Sequence, residues 1–285
     1  MFIVKDHSEF CAACFERADK PENRDFLLCF DYQALPSPYG KGLIRIVMDG
    51  MSNADGKPAV EIAADALLHH LVGRLTELSR RMSSYIETSY ENAVDDDVIQ
   101  ERIRTWIFDI IRDALHSTND VLCDSAYPRP YCTVSIAVVF HRHIYTANLG
   151  DSPIYLLNLS SAKQELVPLF VCDNTAGIRI AEGSLTEEAA LHSSMASELQ
   201  LFLGCREFDL VRDAHYNCTP LPQSCILMLG SDGALAQLLR KDMAETVISH
   251  LGGGLSAVQE ELRLLVGESG STDDFTLVMD RIESD

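Results

Sequence analysis

The stretch Leu43-Ile44-Arg45-Ile46-Val47-Met48 runs straight into Asp49-Gly50. A short apolar run closed by Asp-Gly reads as a buried strand ending in a tight turn. The pattern returns where Cys225-Ile226-Leu227-Met228-Leu229-Gly230 meets Ser231-Asp232-Gly233. A third acidic pair, Asp273-Asp274, directly precedes the apolar run Phe275-Thr276-Leu277-Val278-Met279. Each is read as a strand with a carboxylate at its edge. Singly, an Asp-Gly is an ordinary turn signal. Together, three strand-edge carboxylates far apart in sequence match what a divalent cation needs. Hard cations take oxygen ligands held by a rigid frame.

Working outward, Pro58 and the spacing of Val60, Ala63, Ala64, Leu67, Leu68, Leu71, Leu75 and Leu78 predict a long helix. Ile99, Ile103, Trp106, Ile107, Ile110 and Leu115 predict a second. The acidic run Asp95 to Asp97 suits the positive end of that helix's dipole. Strands are expected at about 9–17 and 25–32, and as a hairpin from Thr133 to Phe140 and Ile144 to Leu149. Further strands are expected at Ile154 to Leu159, 207–214, 225–230 and Phe275 to Arg281. A short helix is expected near Thr186 to Met195, and longer ones at about 234–249 and 255–266. Helices inserted between runs of antiparallel-type strands argue for an α+β layered fold. No linker or internal repeat is evident, so residues 1–285 are expected to form a single domain.

The chain has 285 residues, 47% of them hydrophobic, and a formal net charge of −20 from 43 acidic and 23 basic residues. That apolar content disfavours disorder. The acidic excess repels phosphate backbones and anionic lipid, so neither nucleic acid nor membrane is an expected partner. Met1-Phe2-Ile3-Val4 meets Lys5 and Asp6 at once, leaving no apolar core for a secretory leader. Nine cysteines without a secretory signal are read as reduced thiols in a cytoplasmic protein. Cys11-x-x-Cys14 has no second pair at metal-binding spacing, so both are expected as packed core thiols. Trp106 is expected in the core, His69 and His70 as ordinary helix residues, and His141 and His143 as solvated residues of a hairpin turn.

Clustered carboxylates repel one another and raise each other's pKa. Bound Mg²⁺ or Mn²⁺ removes that cost, and two ions sharing a carboxylate would hold a water between them. The carbonyl of Gly50 is a further candidate ligand.

At this point several segments resemble metal-dependent serine/threonine protein phosphatases of the type 2C (PPM) class, its small bacterial members above all. Val47-Met48-Asp49-Gly50-Met51 is similar to the family's first Asp-Gly motif. Tyr145-Thr146-Ala147-Asn148-Leu149-Gly150-Asp151-Ser152 resembles its ANxGDS segment. Gly183 to Ala189, with His192 and Leu203-Gly204, is similar to the stretch after the flap. Ser231-Asp232-Gly233 resembles its SDG, and Ser271-Thr272-Asp273-Asp274-Phe275-Thr276 its closing SxDNxT. The order is kept from about residue 9 to 282.

The resemblance implies a four-layer αββα sandwich of two antiparallel sheets flanked by helices. It implies hydrolysis of phosphoserine and phosphothreonine in proteins by a metal-bridged water at a two-metal centre. Asp49 would bridge the metals and Gly50 would offer its carbonyl. Asp232 and Asp273 would complete one metal's surroundings, and Asp25 would act through metal-bound water. Asp151, with Asp232, matches the place of a third metal. The cofactors implied are two Mn²⁺ or Mg²⁺ ions, with room for a third. The partners implied are phosphorylated proteins and a cognate serine/threonine kinase system, for a monomer in cytoplasmic signalling.

The chain also departs from the pattern. The family opens with an Arg four residues before a Glu-Asp pair. Here Lys20-Pro21-Glu22-Asn23-Arg24-Asp25 puts Lys20 in place of the Arg and Arg24 in place of the Glu. Lys20 and Arg24 are the phosphate-binding candidates, although Lys lacks the two-pronged grip of Arg. A positive Arg24 would also repel the second metal. These changes make a pseudophosphatase, the same fold used to bind without turnover, the alternative. Met51 stands where many eukaryotic members carry His. Asp173-Asn174-Thr175 replaces Asp-His-Ser, and Asp274 replaces Asn. No G-x-x-x-x-G-K-[ST] exists for a nucleotide enzyme, and no basic stripe for a nuclease.

Overall fold

The computed structural model describes residues 9–15, 23–33, 41–50, 59–125, 130–206, 209 and 213–283. Among the described residues, ten strands form two five-stranded sheets, antiparallel throughout. One holds β2 (Asp25–Gln33), β3 (Lys41–Asp49), β4 (Val134–Phe140), β5 (His143–Leu149) and β8 (His215–Pro220), in that order. The other runs β1 (Glu9–Phe15), β10 (Phe275–Glu283), β9 (Ser224–Gly230), β6 (Ile154–Asn158), β7 (Leu166–Pro168).

The alternation of strand side chains builds four layers. Along β3, Leu43 and Val47 face the other sheet, meeting Ile154, Leu227, Leu229 and Val278 in a layer between the sheets. Ile44, Ile46 and Met48 face the opposite way, against α1 (Ala59–Glu91) and α2 (Asp96–Asp124). On the far side Met228, Leu277 and Met279 pack on α5 (Asp232–Leu235), α6 (Arg240–His250) and α7 (Leu255–Glu268). The result is the expected αββα sandwich. Two short helices, α3 (Thr175–Ala181) and α4 (Glu187–Ala190), belong to the segment between β7 and β8.

Arg45 shares the inward face of β3 and is the one charge in that apolar run. Its guanidinium makes a two-pronged ion pair with Asp280 of β10, Nε to Oδ2 at 2.8 Å and Nη2 to Oδ1 at 2.7 Å. Nη1 donates to Asp31 Oδ1 at 2.7 Å and to the Ile44 carbonyl at 3.0 Å. The Phe10 ring covers the guanidinium, 4.9 Å from its centroid. Arg45 is 2% exposed and Asp280 1%. Burial pushes the Asp280 carboxyl up, and the Arg45 hydrogen bond and charge oppose that. The pair ties the two sheets together.

Several local expectations are corrected. Helix α1 runs thirteen residues past Leu78, because Met82 and Ile86 continue its buried face at full burial. Helix α2 continues past Leu115 through the buried polar residues Thr118 and Asn119. Asn119 exchanges hydrogen bonds with the backbone of Gly204 and Cys205. Most of the strand expected at 207–214 lies outside the described residues, and a strand not foreseen, β8, follows at His215–Pro220 on the outer edge of β5. The helix expected at 234–249 is two, α5 and α6. β1 alternates cleanly, so Cys11 is buried while Cys14 faces out, against the expectation of two core thiols. His141 is buried, not solvated, because α2 closes over the hairpin turn. Gln100 lies 2.5 Å from its Nδ1 and donates to its carbonyl at 3.2 Å. Burial pushes the His141 pKa down to about 4. Trp106 is half-buried, edge-on to Tyr85. Asp95 does cap α2, accepting from the Asp97 N–H. Pro58 lies outside the described residues.

Removing one member of a buried ion pair strands the other charge, at a cost of about 3–5 kcal/mol. Arg45→Met is therefore expected to lower the unfolding free energy by about that amount in urea titrations. Arg45→Met/Asp280→Leu is expected to regain most of it. A double variant no better than the single one would show that the charge on Asp280 is not the source of the loss.

Candidate metal centre

The acidic strand edges meet at one end of the sandwich. The β2–β3 register sets Asp25 opposite Asp49. β9 ends at Gly230, and Asp232 opens α5 just beyond it. Asp273 and Asp274 stand at the start of β10, which pairs with β9. β5 runs parallel to β3 across β4, so Gly150-Asp151 leaves the other sheet at the same end.

Backbone hydrogen bonds hold this end closed. Gly50 N donates to the Arg24 carbonyl at 3.2 Å, and an added Cβ on Gly50 would lie 2.6 Å from that oxygen. An added Cβ on Gly233 would collide with the Asp274 carbonyl. The two Asp-Gly pairs are thus required by close backbone approach. Asp49 is gripped from both sides by Thr133, whose Oγ1 accepts from Asp49 N at 3.0 Å and whose N donates to Asp49 O at 2.9 Å. Ser231 ties α5 to β10, its N donating to the Thr276 carbonyl at 2.9 Å and its Oγ accepting from Thr276 N at 3.1 Å.

The electrostatics follow from this crowding. Burial pushes the Asp49 carboxyl well above its usual range, and the charges of Asp232, Asp25 and Asp273 push it further. Asp25 is raised to about 7, first by burial and then by Asp274 and Asp232, with the Thr276 and Ser231 hydroxyls opposing. Asp151 is also raised to about 7, first by burial and next by Asp232, with an Asn174 hydrogen bond opposing. The charge of Asp232 thus acts on Asp25, Asp49 and Asp151, and Asp49 is acted on by Asp25 and Asp273 as well.

Asp274 Oδ2 accepts the Arg24 N–H at 3.0 Å, and Asp273 Oδ1 accepts the Asp274 N–H at 3.0 Å. Among the described residues no three acidic, His or Cys side chains are closed up around one point in the manner of a formed metal cage. The donors nevertheless fit a hard divalent cation. All are oxygens on strand ends, and Asp25 Oδ2 is buried with no hydrogen-bond partner. A buried acceptor left that way is costly, and a cation at this end would satisfy it.

Of the phosphate-binding candidates, Arg24 is half-buried, its backbone bonded to both Gly50 and Asp274. Lys20 lies outside the described residues, as do Glu22 and Met51. The sequence reading assigned nothing to Thr133, Ser231 or His215. Thr133 and Ser231 act through pairings between segments far apart in sequence, and no local spacing marks them. Asn174 was noted only as a departure from the family pattern. Its amide donates to Asp151 Oδ2 at 2.9 Å.

No family model matches the chain, and no curated protein sequence does. Solved structures do. A bacterial serine phosphatase aligns at a TM-score of 0.71 and 18% identity, over 98% of this chain and 99% of its own. The serine/threonine phosphatase of S. agalactiae aligns at 0.69 and 19%, over 97% and 100%. The catalytic domain of the serine/threonine protein phosphatase PstP, solved with two manganese ions, aligns at 0.65 and 15%, over 97% and 98%. Over almost its whole length, this chain has the fold of the bacterial serine/threonine phosphatases.

Proposed function

We propose that this chain is a metal-dependent phosphoprotein phosphatase that hydrolyses phosphoserine and phosphothreonine, residues 1–285 acting as one catalytic domain. The observation that carries the reading is the gathering of Asp25, Asp49, Asp232 and Asp273, with Asp151 beside them, at one end of this fold. Mutually repelling carboxylates buried together are costly to the fold alone, and a divalent-cation site accounts for them. The structural neighbours, serine/threonine phosphatases, supply the reaction class, and the two manganese ions of PstP the metal class.

Asp49, Gly50 through its carbonyl, Asp25, Asp232 and Asp273 would hold two Mn²⁺ or Mg²⁺ ions, and Asp151 with Asp232 would favour a third. Bound there, the ions would offset phosphate charge and make water a nucleophile near neutral pH. Asp49 couples electrostatically to three of the other acids, Asp232, Asp25 and Asp273. Thr133 fixes the height of Asp49 in the sheet. Gly50 and Asp274 anchor the Arg24 backbone at the rim, where its guanidinium would meet the substrate phosphate with Lys20. Substrates would be phosphorylated proteins, opposite a serine/threonine kinase, and the working unit a cytoplasmic monomer. No helix among the described residues is long and apolar enough to cross a membrane.

Purified protein is expected to hydrolyse a phosphothreonine peptide with Mn²⁺ or Mg²⁺ and to stop in EDTA. Asp273→Ala and Asp232→Ala are each expected to reduce kcat/KM by more than about 100-fold, beyond the usual 10–100-fold effect of outer partners. Full activity in either variant sinks the assignment. Metal binding without turnover in the unaltered protein would favour the pseudophosphatase reading that Arg24 raises.

If Arg24 does lie over the metal centre, Arg24→Glu is expected to tighten Mn²⁺ binding in a calorimetric titration. An unchanged affinity would place that guanidinium elsewhere.

Asp25 and Asp151 hold their protons to about pH 7 in the folded chain and to about pH 4 in the unfolded one. Between those values the folded state binds more protons, so metal-free stability falls as pH rises. Protein in EDTA is expected to lose at least about 1 kcal/mol from pH 5 to pH 7.5, seen as a melting point lower by about 2 °C or more. Millimolar Mn²⁺ is expected to reverse the loss at pH 7.5. A metal-free melting point that rises over that interval would contradict the raised carboxyl pKa values.

A further inference from the structure

His215 opens β8, opposite Asn148 of β5, two residues before Gly150. Its Nε2 lies 2.7 Å from Asp173 Oδ1. Asp173 is 4% exposed and uses every hydrogen-bonding group it has. Its second carboxylate oxygen, Oδ2, accepts the Gly150 N–H at 2.9 Å, and its own N–H donates to the Gly150 carbonyl at 3.1 Å. Its carbonyl accepts the Gln200 N–H at 2.7 Å. The next residue, Asn174, divides its side-chain amide between Asp151 Oδ2 at 2.9 Å and the Ala196 carbonyl at 2.9 Å.

These contacts form a continuous chain from an outer strand to Asp151. Gly150 needs such a clamp. It sits at a φ of +109°, with its Cα wedged so that any Cβ would lie 2.7 Å from the Thr133 side chain. Gly150 directly precedes Asp151, so the orientation of the Gly150 peptide sets where the Asp151 carboxylate points. Asp173 holds that peptide, and His215 holds the one Asp173 oxygen that Gly150 does not use. A side chain that fixes a ligand's supporting carboxylate tunes the site without touching it.

We propose that His215 is a positioning residue for Asp151, acting through Asp173 and the Gly150 peptide, and that it sets the affinity of the cation site Asp151 serves. The inference rests on the reading of Asp151 as a metal-binding carboxylate. It assigns no contact between His215 and substrate. His215 is about one-third exposed, so a substituted side chain finds room without opening the core.

The test is a Mn²⁺ titration of the full chain by calorimetry, with the number of bound ions read by equilibrium dialysis. Asp151→Asn defines the part of the binding that depends on Asp151. His215→Ala is expected to weaken that same part by about tenfold or more, the scale of outer-partner losses, and to leave the remaining sites unchanged. His215→Gln, whose amide can still donate to Asp173, is expected to restore it. Thermal melts accompany each variant, and Asp173→Asn, which gives up one acceptor oxygen, carries the same test if His215→Ala does not fold. Wild-type Mn²⁺ binding in His215→Ala, with Asp151→Asn still impaired, overturns the proposal. Equal loss in His215→Ala and His215→Gln, in step with a lower melting point, overturns it in favour of a purely structural role. If Asp151→Asn itself binds Mn²⁺ like the wild type, the metal reading of Asp151 fails first and the proposal falls with it.

Discussion

Like charge held at close quarters is the constraint around which this molecule is arranged. Two carboxylates about 4 Å apart repel by about 4 kcal/mol even when the surroundings respond as a polarisable medium. A flexible chain escapes that repulsion by letting the groups swing into water. Here the groups are fixed to the ends of paired strands, with Asp25 opposite Asp49 in one sheet and Asp273 ahead of β10 in the other. Protons and hydrogen bonds relieve part of the repulsion, and divalent cations would relieve more of it.

Such rigidity has to come from elsewhere in the fold. Each sheet is backed by its own helical layer, so both outer faces are dry and the strands cannot shear apart. Between the sheets lies a narrow apolar layer interrupted by Arg45 and Asp280. A greasy interface tolerates sliding, whereas a two-pronged ion pair has one geometry. The pair sets the register of one sheet on the other, and so the distance between Asp49 on β3 and the acids carried by β9 and β10.

Much of this was legible in the chain itself. The runs Leu43–Met48 and Cys225–Gly230 are apolar without period, which marks strands covered on both faces. The Asp-Gly endings marked close backbone approach, because a glycine is needed where another backbone passes as near as the Arg24 carbonyl does to Gly50. What escaped was of another kind. β8 carries a weak half-buried pattern, and only its pairing with β5 defines it as a strand. His141 sits in a polar turn that local reading sends to solvent, yet a helix forty residues earlier covers it. Cys14 looked like core because β1 was not recognisable as an edge strand.

By itself the sequence determined which residue types were available and where strands would end in carboxylates, because side-chain periodicity and turn chemistry are local properties. It thereby determined the layered fold class and the strand-edge positions of Asp49, Asp232 and Asp273. Only the tertiary structure decided which neighbours those acids would have. Thr133 beneath Asp49, Asn174 on Asp151, His215 on Asp173 and Asp280 on Arg45 are joined across 23 to 235 positions. Hydrogen bonds and charge act over a few ångströms, so such contacts exist only once the chain has closed on itself.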